Sequence, residues 1–482
     1  MAGFSDYGEY DALGLAELVA KRSVKPEELL EEAIARASAV NPKINALSQQ
    51  HYDLARETLR RGMAEAKPEA PFRGVPFLLK DLGILLAGTP TMNGSRLFET
   101  MVADHDTTLA TRFKAAGFVI FGKTNTPELG ITATTEPKLS GATRNPWHTE
   151  YSPGGSSGGA AAAVASGILP LAHASDGGGS IRGPASACGV FGMKPTRGRV
   201  PLGPDRGEGW GGCSTQGCVS RTVRDSAALL DAIGFPEAGD PYWAPPKERA
   251  YLDETQLAPP RLRIAFTAKS PLGLAVDPEC IKAVANAARL CESLGHSVEE
   301  KAPDLDHEAL ARAILAFIGP NVAIACEDRA KVLGRALTRA DVEALTWRSI
   351  EAGRALSAAD YVRAQTAIHA AGRRMARFHE TYDVLIEPTY GSPPIKLGHL
   401  DMDSDDAGAY VARILALTPF TTRYNMTGQP SMSVPLHWTS AGLPVGVMFS
   451  GPFGAEGTLF RLAAQLERAA PWKDRRPAVH AG

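Results

Sequence analysis

The sequence predicts an α/β fold: a single domain in which a mixed central β-sheet is covered by helices on both faces. Three observations point there. From Phe72 onward, short apolar runs alternate with stretches of helical periodicity, the pattern of a sheet whose strands are joined by packed helices. The 482 residues are 44% hydrophobic and 22% charged, enough apolar side chain to bury a large core. No internal repeat or low-complexity segment divides the chain.

Taken in order, residues 1–65 read as a helical layer. Pro26-Glu27-Glu28 starts a helix with proline in its first turn and acids at its positive end, and Leu29, Leu30, Ala33 and Ile34 form its apolar face. Residues 66–234 form the first half of the expected core, with buried strands at 75–79 and 118–121 and a helix at 107–116 between them. Residues 235–260 hold Pro236, Pro241, Pro245, Pro246, Pro259 and Pro260, the mark of a long surface connection. Residues 261–482 resume the α/β pattern: a strand at 262–266, a helix at 278–294, a helical layer over 300–380, and strands at 384–386 and 443–448. In that layer, Gly319-Pro320 has two equal readings: it breaks the helix 314–326 and turns Phe317 and Ile318 toward a pocket, or it kinks a helix that stays in the core.

Charge and cysteine content narrow the function. Lys and Arg total 51 against 53 Asp and Glu, a formal charge of -2, so no overall field favours nucleic acid or an anionic membrane. The expected partner is a small molecule. The first residues lack a basic stretch followed by an apolar one, and the least charged later stretch, 158–175, is short and mostly Ala and Gly. The six cysteines, Cys188, Cys213, Cys218, Cys280, Cys291 and Cys326, show neither metal-site spacing nor a dense framework. Reduced thiols in a cytoplasmic protein with no metal and no cofactor are expected.

The chemistry concentrates in two glycine-rich turns that each present a serine: Ser152-Pro153-Gly154-Gly155-Ser156-Ser157-Gly158-Gly159, then Ser175-Asp176-Gly177-Gly178-Gly179-Ser180-Ile181-Arg182. Glycine clusters let backbone N–H groups converge on one point, as a tetrahedral oxyanion requires, and a serine at the end of such a turn can attack the carbonyl held there. A hydroxyl also needs a base. Lys80 ends the apolar run Val75-Pro76-Phe77-Leu78-Leu79, where burial disfavours the ammonium and leaves an amine that can accept a proton.

On these residues the chain resembles the amidase signature family over nearly its whole length. The match extends to Gly122-Lys123-Thr124-Asn125-Thr126-Pro127-Glu128, Gly141-Ala142-Thr143-Arg144-Asn145-Pro146-Trp147, Gly192-Met193-Lys194-Pro195-Thr196 and Asn425-Met426-Thr427-Gly428-Gln429-Pro430. The resemblance implies that Ser156 is the proton relay and Ser180 the nucleophile of a Ser-cisSer-Lys triad. It also implies a cis peptide before Ser156 and an oxyanion hole from the N–H groups of Gly177, Gly178, Gly179 and Ser180. Asp176 and Arg182 would brace the turn, with Ser157 in support. Two departures are visible: Ser175 where Thr is usual, and Gly183 where a larger residue often precedes Pro184, which would leave a wider pocket. Within the family, Thr134-Thr135-Glu136-Pro137, Asp277-Pro278-Glu279-Cys280 and the Asn425 to Pro430 stretch are similar to the branch containing 6-aminohexanoate cyclic-dimer hydrolase.

The implied reaction is hydrolysis of a carbon–nitrogen acyl bond (an amide, cyclic amide, anilide or carbamate) through a Ser180 acyl-enzyme, with homodimerisation left open. Three other readings compete. Gly154-x-Ser156-x-Gly158 fits the nucleophile elbow of an α/β-hydrolase, which would need a histidine such as His399. Gly207-x-Gly209-x-x-Gly212 fits a dinucleotide fingerprint on paper, but its Pro-Gly context makes it a loop. The family also includes the amidase subunit of tRNA-dependent amidotransferases, against which Gly183 speaks because that subunit usually has Gln there.

Overall fold

The computed structural model describes residues 4–482 and contains eleven strands: β1 (Leu47–Gln50), β2 (Pro76–Lys80), β3 (Val119–Thr124), β4 (Leu171–Asp176), β5 (Phe191–Lys194), β6 (Thr215–Ser220), β7 (Arg263–Phe266), β8 (Ser297–Glu300), β9 (Val384–Pro388), β10 (Ser431–Trp438) and β11 (Pro444–Ser450). Eight of them form one sheet in the order β4-β6-β5-β10-β11-β9-β7-β8. Pairing is antiparallel from β4 to β9 and parallel across β9-β7-β8, so the sheet is mixed as expected. The other three strands form a small sheet, β1-β3-β2. At the seam between the two, the Lys80 N–H on β2 donates to the ring nitrogen Nδ1 of His173 on β4, at 3.0 Å. A side chain takes the bond that a strand carbonyl would accept, and the expected single sheet divides there.

Helices cover both faces of the large sheet. Neighbouring residues of a strand point to opposite sides. On β5, the Phe191 ring packs on Phe460 of the helix Glu456–Ala469, while Gly192 faces Ile181 and Ala185 of the segment behind the nucleophile turn. A side chain at Gly192 would collide there, its Cβ only 2.7 Å from the Ala185 Cβ. One buried core runs through this arrangement and takes in Tyr7, Phe77, Val219, Val447 and Trp472. The connection after Gly234 is mostly exposed until Tyr251 anchors it in the core.

The helical layer departs from the broken-helix reading. The helix His307–Val332, capped by the Asp306 side chain, continues through Pro320 without a break. Proline removes one intrahelical bond and usually kinks such a helix. Here the helix is held by the neighbouring Ala344–Ala355, which crosses it backbone to backbone: a Cβ on Gly353 would lie 2.3 Å from the Gly319 carbonyl carbon. His307–Val332 is also long enough, and over its most apolar 18 residues apolar enough, to cross a membrane by length and composition. Within the fold it packs against Ala344–Ala355 and the helix Ala358–Thr381, with 44% of its most apolar window buried.

Candidate active site

Every residue of β2 is buried, which carries Lys80 Nζ into the interior. Nζ lies 2.7 Å from Ser156 Oγ and 3.0 Å from Ser175 Oγ. Burial lowers its pKa to about 7 against the opposing pull of the Asp176 charge, so near neutral pH a large share of Lys80 is uncharged amine.

Ser156 follows a cis Gly155–Ser156 peptide. No side chain fits at Gly155, whose Cβ would meet Thr134 backbone at 2.2 Å. Thr126 Oγ1 donates to the Ser156 carbonyl at 3.0 Å, and the Tyr390 hydroxyl donates to the Gly155 carbonyl at 3.4 Å. Tyr390 also fills the place over Gly183, where an added Cβ would stand 2.0 Å from its oxygen. Gly183 therefore opens no wider pocket; its missing side chain makes room for a tyrosine brought from 207 residues away in sequence.

Ser180 closes the second turn. Asp176 and Arg182, both fully buried, form a paired bridge of 3.0 and 2.9 Å. Burial alone would raise the Asp176 pKa, but the Arg182 charge and the hydrogen bonds from Arg182 and Asn425 hold it well below the usual carboxylate range. Asp176 also accepts the N–H groups of Gly179 at 2.7 Å and Ile181 at 3.0 Å. The Gly179 N–H is thus spent on the brace and leaves the expected oxyanion set. Those of Gly177, Gly178 and Ser180 make no hydrogen bond to the described residues. Ser157 Oγ donates to the Ser175 carbonyl and accepts the Ser175 N–H, at 3.2 and 3.3 Å, and so ties the two turns together.

Ser156, Ser175 and Ser180 open into one cavity of about 940 Å³. Leu82, Phe98, Met101, Leu129 and Trp210 line its apolar walls, and Asp205, Arg206 and Asp328 contribute charge. No direct hydrogen bond joins Ser156 Oγ to Ser180 Oγ among the described residues. The helix His307–Val332 does wall the cavity, but through Asn321, Val322 and Ala325. Phe317 and Ile318 do not line it. Because the helix does not break, Phe317 stays in the core with its ring edge-on to Tyr361, against Gly211 of the Trp210 loop, and Ile318 packs in the cluster of Phe98 and Ile350. Gly207 and Gly209 belong to that loop, as their Pro-Gly context predicts, and line the cavity, with β6 starting soon after.

Sequence reasoning missed Ser175 as a partner of Lys80, Tyr390 as a support of Ser156, and Asn93, Glu208 and Gln216 on the cavity wall. Only Ser175 had a local signal, its place next to the nucleophile turn. No histidine lines the cavity among the described residues, which leaves the elbow reading without its base.

A buried amine from the small sheet and two glycine-rich turns, bringing two serines and free backbone donors together at one cavity, define an acyl-transfer hydrolase. The chain belongs to the Amidase family, whose profile matches residues 28–460. It is 39% identical to 6-aminohexanoate-cyclic-dimer hydrolase of Pseudomonas sp. (strain NK87), over 97% of this chain and 96% of that one. Among solved structures, a 6-aminohexanoate cyclic dimer hydrolase complexed with substrate superposes with a TM-score of 0.92 at 38% identity, covering 98% of this chain and 99% of the other. A bacterial aryl acylamidase of the amidase signature family superposes with a TM-score of 0.87 at 29% identity, with 96% of each chain covered. The protein is an amide hydrolase, and neither the α/β-hydrolase reading nor the amidotransferase-subunit reading gains support from these relatives.

Proposed function

We propose that the protein hydrolyses linear and cyclic amides of the 6-aminohexanoate type through an acyl-enzyme on Ser180. The observation that carries this is the 2.7 Å contact of a fully buried Lys80 with Ser156, in the same cavity as Ser180. The amine of Lys80 takes a proton from Ser156 as Ser156 takes one from Ser180. Ser180 Oγ attacks the scissile carbonyl, and the N–H groups of Gly177, Gly178 and Ser180 receive the developing oxyanion. The proton returns along the same relay to the leaving nitrogen, and water then releases the acid from Ser180 by the same route. The substrate class rests on the relatives and on a cavity that joins apolar walls to a polar floor. Six free, buried cysteines support a cytoplasmic location.

The test combines intact-mass analysis after a fluorophosphonate with a turnover screen of the 6-aminohexanoate cyclic dimer, linear amides, anilides, esters and carbamates. We expect one adduct on Ser180 and turnover of the cyclic dimer. An adduct on Ser156 or Ser157 would reverse the roles of the serines, and a preference for esters or carbamates would replace the substrate class.

A further inference from the structure

We propose that Gln216 is a substrate-binding residue whose side-chain NH₂, aimed by His173, holds a second acceptor oxygen of the substrate. This rests on the reading of Ser180 as nucleophile and names what lies beside it. The Lys80 N–H is only a donor, and it points at His173 Nδ1 at 3.0 Å. That nitrogen must therefore be unprotonated. His173 is fully buried, and burial lowers its pKa to about 3, so the ring is neutral and carries its one proton on Nε2. Nε2 lies 3.0 Å from Gln216 Oε1.

The tautomer orients the amide. A flipped Gln216 would set its NH₂ against the imidazole N–H, two donors face to face, so the oxygen stays on His173 and the nitrogen turns away from it. Gln216 Nε2 makes no hydrogen bond to the described residues, and the residue lines the cavity while only 9% exposed. Its place is set by the sheet. Gln216 on β6 stands opposite Ser175 on β4, and paired residues share a face. Ser175 Oγ is the second contact of Lys80 Nζ. The amide thus presents a donor beside the reacting groups.

The scissile carbonyl is received by the glycine turn, so this donor serves a different oxygen. The ligand class is an amide with a second carbonyl within reach, such as a cyclic diamide. A simple alkyl amide would leave the donor without a partner.

The experiment compares the wild type with Gln216→Leu, Gln216→Glu and His173→Asn on the 6-aminohexanoate cyclic dimer and on hexanamide, and follows fluorophosphonate labelling of Ser180. For the cyclic dimer, Gln216→Leu should raise KM about 3–10-fold, the effect of one neutral hydrogen bond, with kcat little changed. Gln216→Glu should raise it further, since a carboxylate oxygen would face the substrate oxygen. His173→Asn keeps a short acceptor for the Lys80 N–H but frees the amide, and should give a smaller rise. Hexanamide should respond much less to all three variants, and Ser180 should still be labelled. Equal effects on both substrates, or none, would overturn the proposal, as would a fall of kcat together with labelling, which would make Gln216 a prop for Lys80. Hexanamide turnover by the wild type without cyclic-dimer turnover would overturn the diamide class. Failure of the fluorophosphonate to label wild-type Ser180 would instead sink the underlying assignment of the nucleophile.

Discussion

Lys80 shows how one side chain is set to its task by where a strand ends. Its pKa falls from 10.5 to about 7 because a fully buried β2 leaves the ammonium without water, and two serine hydroxyls are contacts that the neutral amine also satisfies. The sign of the pH dependence follows. Below about 7 the ammonium dominates and has no lone pair to accept a proton; above it the amine dominates. kcat/KM measured against pH should rise through a single limb near 7 and then level. Lys80→Ala should cost at least about 10²–10⁴-fold in kcat, the usual worth of a general base. Lys80→Arg should cost as much, since a guanidinium cannot give up its proton in a protein. A folded Lys80→Arg enzyme with near wild-type activity would show that another group is the base. At this scale much was legible: Lys80, Ser156, Ser180, Asp176 and Arg182 stand in glycine-bracketed motifs whose chemistry is local. Tyr390 and Gln216 were not, because each acquires its meaning from a partner distant in sequence.

Among the elements, the wall helix His307–Val332 is the clearest case of tertiary context overriding a local rule. Gly319-Pro320 can be read as a break, yet two glycines allow two helix backbones to touch and the helix stays whole. The crossing is asymmetric. A Cβ at Gly319 would meet Gly353 at 3.0 Å, whereas one at Gly353 would drive into the Gly319 carbonyl at 2.3–2.4 Å. Gly353→Ala should therefore lower stability by about 1–3 kcal/mol and Gly319→Ala by less, read as shifts in Tm and denaturation midpoint. The larger displacement should also raise KM, because Asn321 and Val322 on the wall move with the crossing. Equal losses for the two variants would show that the helices separate freely. Long apolar strands such as β2, β3 and β11 were readable as runs, whereas β1, with the sequence Leu-Ser-Gln-Gln, and β8, with Ser-Val-Glu-Glu, were not. These polar strands sit at sheet edges, and pairing holds them rather than burial pattern.

For the whole molecule, the α/β class and the mixed sheet were readable from the alternation of elements, but the strand order was not. β5 finds its neighbour β10 across about 240 residues, and periodicity carries no record of such a partner. The same distance governs the nucleophile turn. Arg182 Nη1 reaches the Thr421 carbonyl and Ser431 Oγ, both at 3.0 Å, and Arg182 Nη2 reaches Asn425 Oδ1 at 2.7 Å. Asn425 in turn donates to Asp176 at 2.8 Å. On the ribosome, then, a nascent chain carries Lys80, Ser156 and Ser180 long before it can be an enzyme, because the last groups that square the turn are made more than 230 residues later. A gene cut at the exposed Pro245-Pro246 junction should yield two pieces, each inactive alone although the first holds the whole triad. Co-expressed, they should regain measurable amidase activity as β10 adds to β5. Activity in the first piece alone would mean that the turn is shaped by its own glycines and needs nothing from the chain that follows.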